Sequence, residues 1–231
     1  MTSALYDSIA RIARHEASAR AIAGAGVVTD VFPADGAAPD YAATVEMRDT
    51  GLVEVKDASS RFVGEATRAP GSVVLAAMEG SRPLLVEVQA LVSPSEIVPP
   101  RRMANGIDRN RLALVLAVLG RHAGVGVGSA DVFVNVAGGV RVDEPGADLA
   151  IALAVASAAR GAVLGDGRVP VACFGEVGLT GELRTVGHAD RRLAEAKKFG
   201  LDPVVAPPEA ATLREAIRRV LPRAEQTPRA A

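Results

Sequence analysis

The chain has 231 residues, 49% hydrophobic and 23% charged, with a net charge of −1, so it reads as an ordinary soluble globular chain with room for one large domain or two small ones. Trp is absent and aromatics make up only 3%, so the core must be built from Ala, Val, Leu and Ile, and aromatic platforms for stacking single-stranded nucleic acid are nearly unavailable. The charge balance does not announce a nucleic-acid binder, and the single cysteine excludes an internal disulfide and a Cys-rich zinc site.

The N-terminal stretch MTSALYDSIARIARHEASAR is charged throughout, unlike a signal peptide, and no run reaches transmembrane length without charges or turn residues. Together with the lone thiol, Cys173 in the apolar run VPVACFG, this points to a cytoplasmic protein without a membrane partner. Leu5, Ile9, Ile12 and Ile22 predict a helix over 4–23, residues 27–32 a short strand, and the Pro- and Gly-rich 33–41 a linker. A segment of strands separated by Gly or Pro turns follows over 42–92. Residues 94–106 read as a loop, 107–124 as a strong helix ending at Gly124, and 130–138 as a strand. A buried strand at 169–177, a turn with a short strand at 179–187, an amphipathic helix over 188–200, a strand at 203–208 and a last helix complete the pattern, and 223–231 reads as a flexible tail. Alternating strands and helices argue for an α/β domain.

The run RVDEPGADLAIALAVASAAR, 141–160, opens a buried helix. Asp143 or Glu144 suits its cap, Pro145 its first position, and Asp148 its first turn, where the helix dipole favours a negative charge. Such a helix start is a common setting for a nucleophile. The only serine in the run, Ser157, lies three turns in, among apolar residues, while Ser93 and Ser95 have no paired base in the sequence. The glycines at 138–139 and at 175, 178 and 181 do not form a dinucleotide fingerprint and read as tight turns. Glu176 and Glu182 flank such a turn, where salt-bridge roles suit them better than catalysis. His15, His122 and His188 are scattered and make no metal site.

Positive charge gathers in two places. Arg101, Arg102, Arg109, Arg111 and Arg121 face only Asp108 across 101–121, a local balance of +4; Arg184, Arg191, Arg192, Lys197 and Lys198 face Asp190 and Glu195 across 184–198, a balance of +3. Guanidinium groups grip phosphates bidentately, so both segments are candidates for a DNA-facing surface, with solvated helix faces and ion pairs as the plainer alternative.

RPLLVEVQALVSPSE, GIDRNRLALVLAVL, DVFVNVAGG, DEPGADLAIALAVASA and FGEVGLTGELRTVG together resemble the C-terminal domain of the RadA (Sms) family of bacterial DNA repair proteins, itself similar to the proteolytic domain of Lon. The resemblance runs from about Val45 to Leu221. It implies a two-layer α+β sandwich of the Lon proteolytic type over 84–222, with 42–92 partly a junction to an ATPase core and 1–41 divergent. Family members carry a zinc finger and a RecA-like ATPase core, bind ATP and zinc, and process branched recombination intermediates as rings. This sequence has no G-x-x-x-x-G-K-[ST] run to cradle phosphates, no Cys-rich finger, and FPADGAAPDYAA where a Lys-Asn-Arg-Phe-Gly motif belongs. ATP and zinc are therefore not expected as cofactors of this chain.

Lon-type peptidases place a serine where this chain has Gly146, and a lysine base at Asp190. Glycine offers no nucleophile and an aspartate does not replace the lysine, so the resemblance implies no catalytic residue here. It implies instead a non-peptidase module that binds single-stranded or branched DNA, forms homo-oligomers up to a hexameric ring, and acts with full-length RadA or a recombinase. The alternatives are a scaffold that only oligomerises or binds protein and, less favoured, a serine peptidase.

Overall fold

The structure is a computed structural model that describes residues 19–22, 27–31, 45–48, 51–54, 58–80 and 82–221. The chain forms two compact units, Met1–Ala58 and Ser59–Ala231. In the first, β1 (Ala19–Ile22), β2 (Val27–Val31), β3 (Val45–Arg48) and β4 (Gly51–Glu54) make an antiparallel sheet in chain order. Ala19–Ile22 is thus a strand where apolar spacing predicts the end of a helix. Only Ile22 carried that period into the segment, and the pairing of Ala19–Ile22 with Val27–Val31 outweighs it. The rest of that predicted helix, 4–18, the linker at 33–41 and the tail at 223–231 lie outside the described residues.

The second unit starts within α1 (Ala58–Gly64), followed by β5 (Ser72–Glu79), β6 (Arg82–Pro94), β7 (Arg102–Asn105) and β8 (Ala130–Val136). With β9 (Ala172–Cys173) they form a five-stranded sheet in the order β7-β8-β6-β5-β9. The central strand β6 runs antiparallel to β5 and β8, while β7 pairs parallel with β8 and β9 parallel with β5. The β-rich segment read over 42–92 is divided between the two units, and the five-stranded sheet takes in β5 from Ser72. The predicted loop 94–106 contains β7: its four residues, hard behind Pro99 and Pro100, are too short to show a period, and pairing with β8 makes them a strand. The apolar runs at 169–177 and 203–208 yield only β9, β10 (Glu176–Val177) and a single bridge at Val205.

One face of the sheet is covered by α3 (Asp148–Arg160), whose residues Asp148 to Ser157 are all buried. An uncharged Leu/Ala/Ile/Val run is what a helix buried all round requires. α2 (Arg109–Val118) continues as one wider turn, Leu119–Ala123, and packs on α3. α4 (Ala189–Lys198) reaches β5 and β6, and α5 (Leu213–Val220) closes on α3. This is the two-layer α/β arrangement. The chain packs closely at Gly71, which takes φ +92: a Cβ there would lie 2.2 Å from the Ala90 carbonyl oxygen, and its N–H donates to Ser157 Oγ at 2.8 Å.

Candidate functional site

The helix start singled out in the sequence is a one-turn 3-10 segment, Pro145–Ala147, leading into α3. Glu144 precedes it but caps nothing with its side chain. Its carboxylate points the other way, accepting from Met78 N–H at 2.9 Å and pairing with Arg192. Arg192 is only 2% exposed. Its Nη1 donates to Glu144 Oε1 at 2.9 Å and to the Ala76 carbonyl at 2.7 Å, and its Nε to the Gly187 carbonyl at 3.0 Å. The ring of Phe174 lies 5.5 Å from the guanidinium. A Cβ built on Gly146 would meet Arg192 Nη1 at 3.1 Å and Glu144 Oε2 at 3.2 Å. The space that a side chain at position 146 would enter is therefore bordered by an ion pair.

The backbone donors around this helix start are used as well. Ala147 N–H donates to the Glu144 carbonyl, Leu149 N–H to Gly175 and Gly175 N–H to Gly146. Asp148 accepts from Arg111 Nη1 at 2.7 Å and from Val177 N–H at 3.2 Å, while its burial raises its pKa above the usual carboxylate value. Asp190 stands exposed in the first turn of α4, after His188 at φ +60. Ser157 is fully buried and donates to the Ala162 carbonyl at 2.6 Å while accepting from Gly71. It pins a turn and has no access to a substrate. Burial likewise pushes the Cys173 thiol far up.

The basic residues of the two clusters differ in how much of each side chain is left to solvent. Arg192 is a correction: it is buried and cannot meet a phosphate. Arg102, on β7, is held by the carbonyls of Ala130, Val127 and Gly128. Arg111 is spent on Asp148. Arg101 pairs with the buried Asp131, whose pKa is lowered first by the Ser95 hydroxyl and then by Arg101, yet its side chain remains 55% exposed. Arg184 lies between Glu176 and Glu182 on the β10–β11 hairpin, whose second strand is Leu183–Arg184. Arg109, Arg191, Lys197 and Lys198 are exposed, Lys198 lying over Phe199 and 3.9 Å from Glu195.

Residues 126–222 match the family described as Lon protease C-terminal proteolytic domain. The chain is 50% identical over 167 residues to the DNA repair protein RadA of Aquifex aeolicus, covering 71% of this chain and 36% of that protein. It is 50% identical over 162 residues to the RadA of Pseudomonas aeruginosa and 46% over 164 to that of Bacillus subtilis, each time over 70% of this chain and 35% of the relative. The chain carries the Lon-like C-terminal domain of the RadA family. It spans about a third of the length of the curated relatives it matches.

Within this RadA-type domain the nucleophile and base positions of the Lon resemblance, Gly146 and Asp190, hold no dyad, and Arg192 with Glu144 occupies the ground beside Gly146. The sequence reading missed that pair because its members are 48 positions apart. It also missed the sheet face around Phe133, where Leu91 and Met103 are exposed. A period-2 signal was present for it: Asp131, Phe133 and Asn135 alternate with Val132, Val134 and Val136 in β8.

Proposed function

We propose that this chain serves DNA repair as a RadA-like protein, its Lon-like domain being a non-peptidase module that contacts single-stranded or branched DNA and assembles with further copies during the processing of recombination intermediates. The observation that carries this reading is identity of about half over 70% of the chain with proteins named DNA repair protein RadA. Against the peptidase alternative stand the missing side chain at Gly146 and the Arg192–Glu144 pair beside it. In this reading the chain is cytoplasmic, binds neither ATP nor zinc itself, and works with a full-length RadA or a recombinase. Among the described residues no helix is long and apolar enough to cross a membrane.

Phosphate contact falls to the basic side chains still facing solvent: Arg101, Arg109, Arg184, Arg191, Lys197 and Lys198. Binding of a fluorescent single strand and a forked duplex, measured across a salt series, tests the reading. Affinity should fall steeply with salt, and each Arg109→Glu or Lys197→Glu change should flatten the slope. No binding at 50 mM salt by the folded chain would sink the DNA reading. It would leave the scaffold alternative, which the internal use of Arg102, Arg111 and Arg192 favours.

A further inference from the structure

The face of the five-stranded sheet turned away from α3 carries three cross-strand rows, set by the register. Gln89, Asn135 and Asn105 stand side by side on β6, β8 and β7, then Leu91, Phe133 and Met103, and then Ser93 and Asp131 with Arg101 just before β7. The middle row is apolar and open: Leu91 is 60% and Met103 56% exposed. The first row consists of amides, with Asn105 Nδ2 donating to Asn135 Oδ1 at 2.7 Å and Gln89 Nε2 donating to the buried Glu87 at 2.9 Å. In the third row Arg101 holds Asp131 through two of its nitrogens, and its guanidinium lies 5.7 Å from the centre of the Phe133 ring. The residues of the first two rows line a cavity of about 450 Å³, bounded at its far end by Thr67, Pro70, Gly71 and Ser72.

An apolar strip one ring wide, with amides along one side and a guanidinium on the other, matches a nucleotide in shape and in polarity. The base is a flat apolar surface with donors and acceptors at its edge, and the phosphate is an anion one sugar away. An extended peptide fits less well, because the strip runs across the strands and offers no free strand edge along its length. We infer that this face takes one nucleotide of single-stranded DNA, its base against Leu91, Phe133 and Met103, its edge toward Asn105 and Asn135, and its phosphate toward Arg101. This rests on the DNA contact proposed above and names where a base, rather than only a phosphate, is held. A chain poor in aromatics needs only one of them here.

The test uses the full chain and labelled dT12, with a second strand of the same length in which abasic sugars replace every base. Phosphate number is the same in both. The abasic strand should bind about 5- to 160-fold more weakly, the range that loss of one stacked base spans. The exposed pair Leu91→Ser/Met103→Ser, which leaves the core untouched, should lose binding to dT12 to a similar extent while leaving the abasic strand unaffected. A dT12 carrying 5-iododeoxyuridine should crosslink to the peptide that contains Phe133. If the two strands bind equally, and the Ser variant equals the parent while Arg109→Glu or Lys197→Glu still weakens binding, the inference fails and the phosphate reading stands. Failure of both strands to bind at 50 mM salt defeats the inference and the DNA reading together. A Ser variant that changes only the sedimentation of the chain would assign the face to protein association and overturn the inference.

Discussion

Removing the Glu144 carboxylate should be among the most damaging single changes in the second unit. Arg192 is 2% exposed, and three of its nitrogens donate to Glu144, Ala76 and Gly187, so its charge is held by these partners and not by water. Glu144→Ala leaves that guanidinium with two carbonyls and no counter-charge, and strips the Met78 N–H of its acceptor as well. Breaking a buried ion pair on one side costs about 3–5 kcal/mol. The 20% exposure of the Glu144 side chain lets some water reach the orphaned charge and places the cost toward the lower figure. Removing both charges, in Glu144→Ala/Arg192→Met, should cost less than Glu144→Ala alone, because the buried charge goes with its partner. Urea unfolding followed by circular dichroism, across a double-mutant cycle, reads both numbers. A Glu144→Ala variant within 1 kcal/mol of the parent, or a double variant equal to the sum of the singles, would show that Arg192 is not held as described.

Further outcomes follow from the same contacts. Ser157→Ala should cost about 1–3 kcal/mol in the same unfolding assay, because it orphans the buried Gly71 N–H and the Ala162 carbonyl. Gly146→Ser should destabilise by about 1–3 kcal/mol, since its Cβ enters at 3.1 Å from Arg192, and combined with Asp190→Lys it should still leave casein uncut. Casein cleavage by that pair, lost again on Gly146→Ala, would overturn the account of the helix start. Cys173 should resist a maleimide at pH 8 in the native chain and react once urea unfolds it. Glu182 has its pKa depressed to about 2, first by the Thr180 hydroxyl and then by its own backbone and Arg184. A carboxylate lowered on folding supports the native state above its unfolded pKa and ceases to do so as pH falls toward 2. Carboxyl NMR should find Glu182 still ionised at pH 3.5, and Glu182→Gln should shrink the acid-side loss of stability; a midpoint near 4.5 would contradict the hydrogen bonds drawn for it.

The parts of the fold that were legible in the sequence are those where one element's own pattern decides its state. The uncharged 149–158 run could only be a buried helix, and Gly124, read as the end of the helix over 107–124, takes the left-handed conformation after its last turn. What failed were elements defined by a partner. β1 and β7 are four residues each, made into strands by a neighbour. The basic clusters failed for a related reason. Composition counts a guanidinium wherever it stands, but Arg192 finds Glu144 48 positions away, Arg111 finds Asp148 at 37, and Arg101 finds Asp131 at 30. Nothing local distinguishes Arg191, which is exposed, from Arg192 beside it; the turn of α4 alone sends one outward and the other inward.

The changes at the helix start form one set. A Lon-type site needs a nucleophile, a base and donors for a developing oxyanion. Here the nucleophile position is Gly146, the base position is Asp190, and the N–H groups of Ala147 and Leu149 already donate to Glu144 and Gly175. Arg192 and Glu144 then tie α4, β5 and the start of α3 together across the same ground. Polar groups arranged in this way hold the fold and are closed to a ligand. Function must therefore lie with groups the fold does not consume. Among the described residues of the second unit these include the exposed cations Arg109 and Lys197, and the sheet face where Leu91, Phe133 and Met103 form an apolar row beside unburied amides. If that face proves inert toward both a nucleotide and a second copy, the remaining candidates are all cations, and the chain would be left with contacts that read charge and not bases.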